Sequence, residues 1–313
     1  MTVVGGGVSG LTCGVALRRA GFDAHVIARE RFPDTVSVVA AAIWTFTGAE
    51  PRERTRGWAL RSRQVFSGLV DDPSTGVVEL TQIELERHDP GPLWWESTPW
   101  VRRLDPDEVG DGYATGFAID GLRIEPPVYL EWLSARFEEL GGTVTIGDVG
   151  SLESLEGELI VNCTGLGARE LVGDDSMYPI RGHVVAVVNP GIDTGIADES
   201  DVDRVTYVYP RSTEMVLGGA REDGRTDPSP DPATTARILA DTAVLDPRVE
   251  GLAVLAERVG LRPGRPEVRL EAGLLADGRP VVHDYGHGGA GFILSWGCAD
   301  EVVELAVELV SDT

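Results

Sequence analysis

Four groups of residues in this 313-residue chain have the types and spacings that bind and orient an anionic small molecule. Gly5, Gly7 and Gly10 follow a short β-branched run. Gly5 permits a tight turn, Gly7 lets the backbone approach a pyrophosphate and Gly10 allows close helix–strand contact, while the N–H groups of the next helix face the anion. Glu30, about 20 residues further on, can accept hydrogen bonds from the ribose hydroxyls of an adenine dinucleotide. Arg262, Arg265 and Arg269 are spaced among Pro263 and Pro266, which stiffen the backbone and pre-aim a carboxylate clamp. Gly286, Gly288, Gly289 and Gly291 form a second glycine-rich loop, which exposes backbone to a flat ligand and leads into a helix whose N-terminus can stabilise an anionic ring.

These residues need a scaffold of alternating strands and helices. Val8, Leu11 and Val15 mark a helix that stops at Gly21, and 24–28 resumes as a strand. The small residues of 39–44 would let a flat ring approach the backbone; an ordinary tight helix–sheet contact is the alternative. Residues 45–125 change character, with charge clusters, short alternating strands and the aromatics Trp94, Trp95 and Trp100, so a separate, largely β region is expected. Pro126 and Pro127 open a helix with Tyr129, Leu133 and Phe137 on one face, and 143–146 returns to a strand. The strand ending at Asn162 brings Thr164 to the carboxyl edge of a parallel sheet, either to bond a cofactor or as a simple strand terminus. From Arg181 the pattern is strand-rich, Tyr207 and Tyr209 share a strand face, and Asp231 with Pro232 starts a helix through Leu245.

Composition narrows the classes. A net charge of −24 opposes nucleic acid and anionic membrane as partners, and no apolar run reaches the roughly 18 residues of a membrane span. The sequence enters its first strand at once, without a stretch resembling a signal peptide, so a cytoplasmic location is expected. Cys13, Cys163 and Cys298 lack metal-ligand or disulfide-scaffold spacing and are assigned to packing. The chain contains no lysine, which removes Schiff-base chemistry on that residue and makes every basic pocket group a permanently charged fork.

Together, 3–11, 161–165, 260–271 and above all His283 to Cys298 make the chain resemble the D-amino acid oxidase family along nearly its whole length. The resemblance implies an α/β fold, a Rossmann-like FAD-binding domain with an inserted β-rich substrate domain. The FAD-binding domain would comprise 1–44, 126–180 and 262–313, the substrate domain 45–125 and 181–261. It implies that Arg262 pairs bidentately with the substrate carboxylate, that Tyr207 donates to the same group and that the Gly289 carbonyl accepts from the amine. The implied cofactor contacts are Gly5, Gly7, Val8, Gly10, Arg29, Glu30, Ser37, Ala41, Ala42, Ile43, Val149 and Thr164, then Gly288, Gly289, Ala290, Gly291, Phe292 and Ile293, with no metal. The implied reaction is oxidative deamination of a small D-amino acid by hydride transfer from Cα to flavin N5. It yields a 2-oxo acid, ammonia and hydrogen peroxide, with molecular oxygen as acceptor. A homodimer is the candidate assembly.

The sequence departs from the family pattern in two places. Many relatives carry a second active-site tyrosine on a mobile lid where this chain has Asp203, and Phe292 and Ile293 stand where a hydroxyl is common. The stretch 206–210 with Arg221 resembles the branch acting on acidic D-amino acids, whereas Arg204, Arg211 and Arg221 as surface residues would leave a neutral substrate, which is the preferred reading. The rival classes are an NAD-dependent dehydrogenase, a glycine or sarcosine oxidase-like amine oxidase and a non-catalytic flavin-binding protein. The second glycine loop speaks against the dehydrogenase and the arginine block against the amine oxidase.

Overall fold

The computed structural model describes residues 1–198, 200–201 and 205–311, so Asp203 and Arg204 lie outside the described residues. The first half runs β1 (Thr2–Val4), α1 (Val8–Arg19), β2 (His25–Ala28), β3 (Ile43–Trp44), α2 (Arg52–Ser67), β4 (Val77–Glu86), β5 (Val101–Arg103), β6 (Thr115–Ile124), α3 (Pro126–Glu139), β7 (Val144–Ile146) and β8 (Ile160–Asn162). The second runs α4 (Ala168–Leu171), β9 (Tyr178–Val188), β10 (Gly195–Asp198), β11 (Thr206–Pro210), β12 (Glu214–Gly218), β13 (Glu222–Asp223), α5 (Pro232–Leu245), β14 (Val254–Gly264), β15 (Arg269–Leu274), β16 (Pro280–Tyr285) and α6 (Gly291–Ser311).

Two sheets divide these strands. The first has the order β15-β16-β8-β1-β2-β7 and is parallel except for the β15/β16 hairpin. Its central strands β1 and β8 are wholly buried, as expected of a parallel sheet covered on both faces. The second has ten strands along the path β13-β9-β12-β11-β10-β4-β6-β3, with β14 on β9 and β5 on β6, and is mostly antiparallel. The expected α/β class, a Rossmann-like half beside a β-rich half, is the one observed.

Helices α1 and α6 pack on each other, and α3 and α2 flank them. Their shared core includes Leu11, Val15, Trp58, Phe66, Tyr129, Phe137 and Trp296. A second core, with Val185, Val208, Met215, Leu217 and Ile238, joins α5 to the β-rich sheet. The helix α2 corrects one expectation, because it lies inside the stretch expected to be largely β. Its buried residues Thr55, Trp58, Ala59, Ser62 and Phe66 follow a helical period that five arginines between 52 and 63 obscure.

Helices α2 and α6 approach closely enough for backbone to meet backbone. Ser62 Oγ accepts the Trp296 and Gly297 N–H groups at 3.1 Å each, and a Cβ on Gly297 would fall on the Trp58 backbone. Backbone cannot yield as a side chain can. Gly297→Ala is therefore expected to lower stability by about 1–3 kcal/mol, read as a reduced unfolding temperature, with the loss of Trp58 packing visible in tryptophan fluorescence.

Candidate active site

The carboxyl ends of β1, β8 and β16 open on a cavity of about 1530 Å³, which the second sheet also lines. At the first end, β1 turns through Gly5, whose φ of +129° suits glycine alone, and a Cβ there would strike the Cys163 carbonyl. The N-terminus of α1 faces the cavity with no side-chain cap and no acid in its first turn. Ser37 Oγ accepts the Val8 N–H at 3.1 Å. The N-terminus of α6 meets the same cavity and likewise has no acid in its first turn. Two helix N-termini on one cavity make a strongly anion-favouring surface, and this donor set fits the phosphates and ring of an adenine dinucleotide cofactor.

Of the cofactor residues expected from sequence, Gly5, Gly7, Val8, Arg29, Glu30, Ser37, Ala41, Ala42, Ile43, Val149, Thr164 and the run Gly288 to Ile293 all line this cavity. Gly10 does not line it. It sits behind the loop, where a Cβ would collide with the Gly5 carbonyl oxygen, so its part is to let α1 approach. The small run 39–44 forms a wall in which Ala42 adopts a left-handed φ of 53°, a conformation a bulkier residue would resist. Thr164 donates its N–H and hydroxyl to Asn162 Oδ1, at 3.2 and 2.7 Å.

The β-rich sheet supplies the other end. Tyr207 and Arg262 emerge on its cavity face, each lying over a glycine. A Cβ on Gly218 would overlap the Tyr207 ring, and one on Gly182 would come within 2.5 Å of Arg262 Cζ. Tyr207 stacks on Tyr209 at 4.7 Å between ring centroids, and the Tyr209 hydroxyl accepts from Gln82 Nε2 at 3.3 Å. Arg262 Nη1 reaches the Ala220 carbonyl at 3.5 Å, and its Cδ lies 3.7 Å from a Cβ built on Gly289. Arg262, Tyr207 and Gly289 thus line the same cavity. Gly182, Gly218 and Ala220 were missed from sequence, although an isolated glycine within a strand run signals a close approach of this kind.

The neighbouring arginines are engaged elsewhere. Arg265 Nε pairs with Asp174 Oδ2 at 3.0 Å, and Arg269 binds Glu271 at 2.7 Å and the Tyr285 hydroxyl at 2.6 Å. Burial works against the Asp174 carboxylate, but hydrogen bonds from Ser176, Tyr285 and Arg265 hold its pKa well below the usual range. Burial pushes Tyr285 up to about 12, so its hydroxyl stays protonated and donates to Asp174. Arg211, expected at the surface, is buried, paired with Glu214 at 3.1 Å and bonded to the Ala40 carbonyl. Arg221 lines the cavity but is exposed and paired with Asp223 at 3.2 Å. Among the described residues no carboxylate pairs with Arg262, and its charge remains available at the cavity wall.

Comparison with known proteins agrees with this geometry. Residues 1–305 match the DAO family model, described as FAD dependent oxidoreductase. The chain is 47% identical to a D-amino-acid oxidase of Rubrobacter xylanophilus, covering 97% of this chain and 94% of that one. It is 41% identical to a D-amino-acid oxidase of Streptomyces coelicolor, with 98% and 96% covered. Identity to the D-aspartate oxidase of Homo sapiens is 34%, with 99% and 95% covered. Among solved structures, glycine oxidase from Geobacillus kaustophilus is similar with a TM-score of 0.83 at 20% identity, covering 100% of this chain and 94% of that one; identity this low speaks to the fold alone.

One buried base supports the cavity floor. His283 Nδ1 faces Asn162 Nδ2 at 3.2 Å, and Asn162 holds Thr164. Burial, then the nearby Arg269 charge, lowers the His283 pKa to about 4. The unfolded chain takes up this proton near 6.5, so between those values the unfolded state binds more protons. Stability from the neutral imidazole is therefore complete above pH 6.5 and is lost as pH falls toward 4, by at most about 3 kcal/mol. The unfolding-temperature gap between the protein and its His283→Gln variant should shrink over that interval; a gap independent of pH would contradict this.

Proposed function

Because this chain belongs to the DAO family of FAD dependent oxidoreductases, we propose that it oxidatively deaminates D-amino acids, with Arg262 as the substrate-carboxylate clamp. The Arg262 guanidinium beside Gly289, with no carboxylate partner among the described residues, is the observation that carries the reading. In this proposal FAD would be held by Gly5, Gly7, Val8, Arg29, Glu30, Ser37, Ala41 to Ile43, Val149, Thr164 and Gly288 to Ile293, with Gly10 packed behind the first loop. Bound FAD supplies the acceptor for the hydride that leaves the substrate Cα. Arg262 holds the carboxylate, the Tyr207 hydroxyl donates to it and the Gly289 carbonyl accepts from the amine, so three contacts fix Cα in one orientation. His287 also lines the cavity, but its Nε2 faces Asp284 at 3.1 Å, away from a general-base role toward substrate. The imino acid product hydrolyses to a 2-oxo acid and ammonia, and oxygen is the terminal acceptor, giving hydrogen peroxide.

A neutral D-amino acid is the substrate this pocket favours. Arg221, the cation an acidic side chain would need, already has its partner in Asp223, and the rest of this wall is lined by Tyr207, Tyr209, Ile180 and Val184. The proposed division assigns 1–44, 126–180 and 262–313 to the cofactor unit and 45–125 and 181–261 to the substrate unit, with α2 packed on the cofactor side. A cytoplasmic location is supported by three free cysteines and no disulfide among the described residues. Among the described residues no helix is long and apolar enough to cross a membrane. The homodimer is part of this proposal, and light scattering of the holoprotein measures it.

The deciding experiment mixes the protein anaerobically with D- and L-amino acids and follows the visible flavin band. Bleaching by neutral D-isomers, faster than by D-aspartate and absent with L-isomers, is expected; a band that only dithionite bleaches would sink the oxidase reading. Arg262→Ala should lower kcat/KM by about 100-fold or more, the effect of removing one partner of a desolvated ion pair, while the bound flavin spectrum persists.

A further inference from the structure

Three cysteines far apart in sequence meet at one buried carboxylate. Cys13 comes from α1, Cys163 follows β8 and Cys298 lies in α6, and all three have sulfur atoms close to Asp284 at the end of β16. Asp284 is 1% exposed, and no arginine pairs with it among the described residues. Among the described residues its Oδ2 has only thiol partners, Cys13 Sγ at 3.4 Å and Cys163 Sγ at 3.8 Å. On the other side Oδ1 lies 3.1 Å from His287 Nε2, yet neither of these buried atoms makes a well-aligned hydrogen bond. Weak S–H donors return little of the hydration such a carboxylate loses, so this position favours a cation.

The geometry specifies which kind. The two sulfurs are 3.9 Å apart, so they form with Oδ2 a triangle of edges 3.4, 3.8 and 3.9 Å. A tetrahedral cation with bonds of about 2.3 Å to sulfur and about 2.0 Å to oxygen requires S···S and S···O edges of about 3.8 and 3.5 Å. The observed triangle meets that requirement within a few tenths of an ångström. We propose that Cys13 Sγ, Cys163 Sγ and Asp284 Oδ2 form a binding site for a thiophilic divalent cation of the zinc and cadmium class. His287 Nε2 lies 3.1 Å behind the ligating carboxylate, where outer partners of metal ligands stand. Cys163 and Asp284 line the large cavity, so the site adjoins it.

Binding replaces two S–H protons: one M²⁺, two thiols and one carboxylate give a bis-thiolate carboxylate complex and two H⁺. Both thiols resist deprotonation in the free protein. Cys13 is pushed up first by its contact with Cys163, then by burial; for Cys163 the Cys13 contact acts downward, but burial and Asp284 outweigh it. Affinity must therefore rise steeply with pH, by up to about 100-fold per unit while both protons are displaced. This site is independent of the substrate reading, since none of its three ligands is assigned to the substrate.

The test uses metal-stripped holoprotein titrated with CdCl₂ at pH 8, following the ultraviolet sulfur-to-cadmium charge-transfer band and the metal retained after gel filtration. One Cd²⁺ per chain is expected, weakened at least tenfold in Cys13→Ser and in Cys163→Ser and retained in Cys298→Ser. Cys13 does not line the cavity, so Cys13→Ser decides if Cys163→Ser fails to keep its flavin. Absence of stoichiometric cadmium overturns the proposal. So does a site lost in Cys298→Ser but kept in Cys13→Ser, which would move it to the triad of Asp284, His287 and Cys298.

Discussion

The architecture depends on one backbone contact: Gly10 of α1 lies against the carbonyl oxygen of Gly5, and Gly5 lies against the carbonyl of Cys163. No side chain fits at either place. The contact fixes the first helix directly over the ends of β1 and β8 and holds its N-terminus at the cavity edge. Because α6 packs along α1, the second helix N-terminus is held near the first, and the two together concentrate positive potential where an anionic cofactor would lie.

The opposite wall is made by the same device in a different sheet. Tyr207 lies over Gly218 and Arg262 over Gly182, so strands without side chains at those points give room for two polar groups to lie flat on an antiparallel surface. In a chain of net charge −24 most arginines find a carboxylate, and those flanking Arg262 illustrate this: Arg265 binds Asp174 and Arg269 binds Glu271. Among the described residues Arg262 has no carboxylate partner; it lies on the glycine bed with the Ala220 carbonyl beside it. An arginine so placed has unspent charge for an incoming carboxylate.

Much of this was legible from residue order. The glycine turn into α1, the helix opened by Pro126 and Pro127 and the capped helix from Asp231 depend on local rules, and the structure contains each of them. The helix α2 was not legible as such, because its buried residues are diluted by arginines and its apolar face has meaning only against α6. Likewise, nothing in the one-dimensional spacing of Arg262, Arg265 and Arg269 distinguishes the unpaired arginine from its two paired neighbours.

The sequence by itself determined the kinds of contact available: glycines where backbone must approach backbone, arginine as the sole strong cation, and strands and helices whose apolar periods build an α/β fold. Only the tertiary structure decided which of these groups meet. It places the carboxyl ends of β1, β8 and β16 opposite Tyr207 and Arg262, seats Gly10 behind the cavity, and gathers Cys13, Cys163 and Cys298 around Asp284 from positions up to 285 residues apart. The physical reason is range. Turn, cap and periodicity rules act over a few residues, whereas charge pairing and ligand geometry depend on distances that exist only once the sheets have closed.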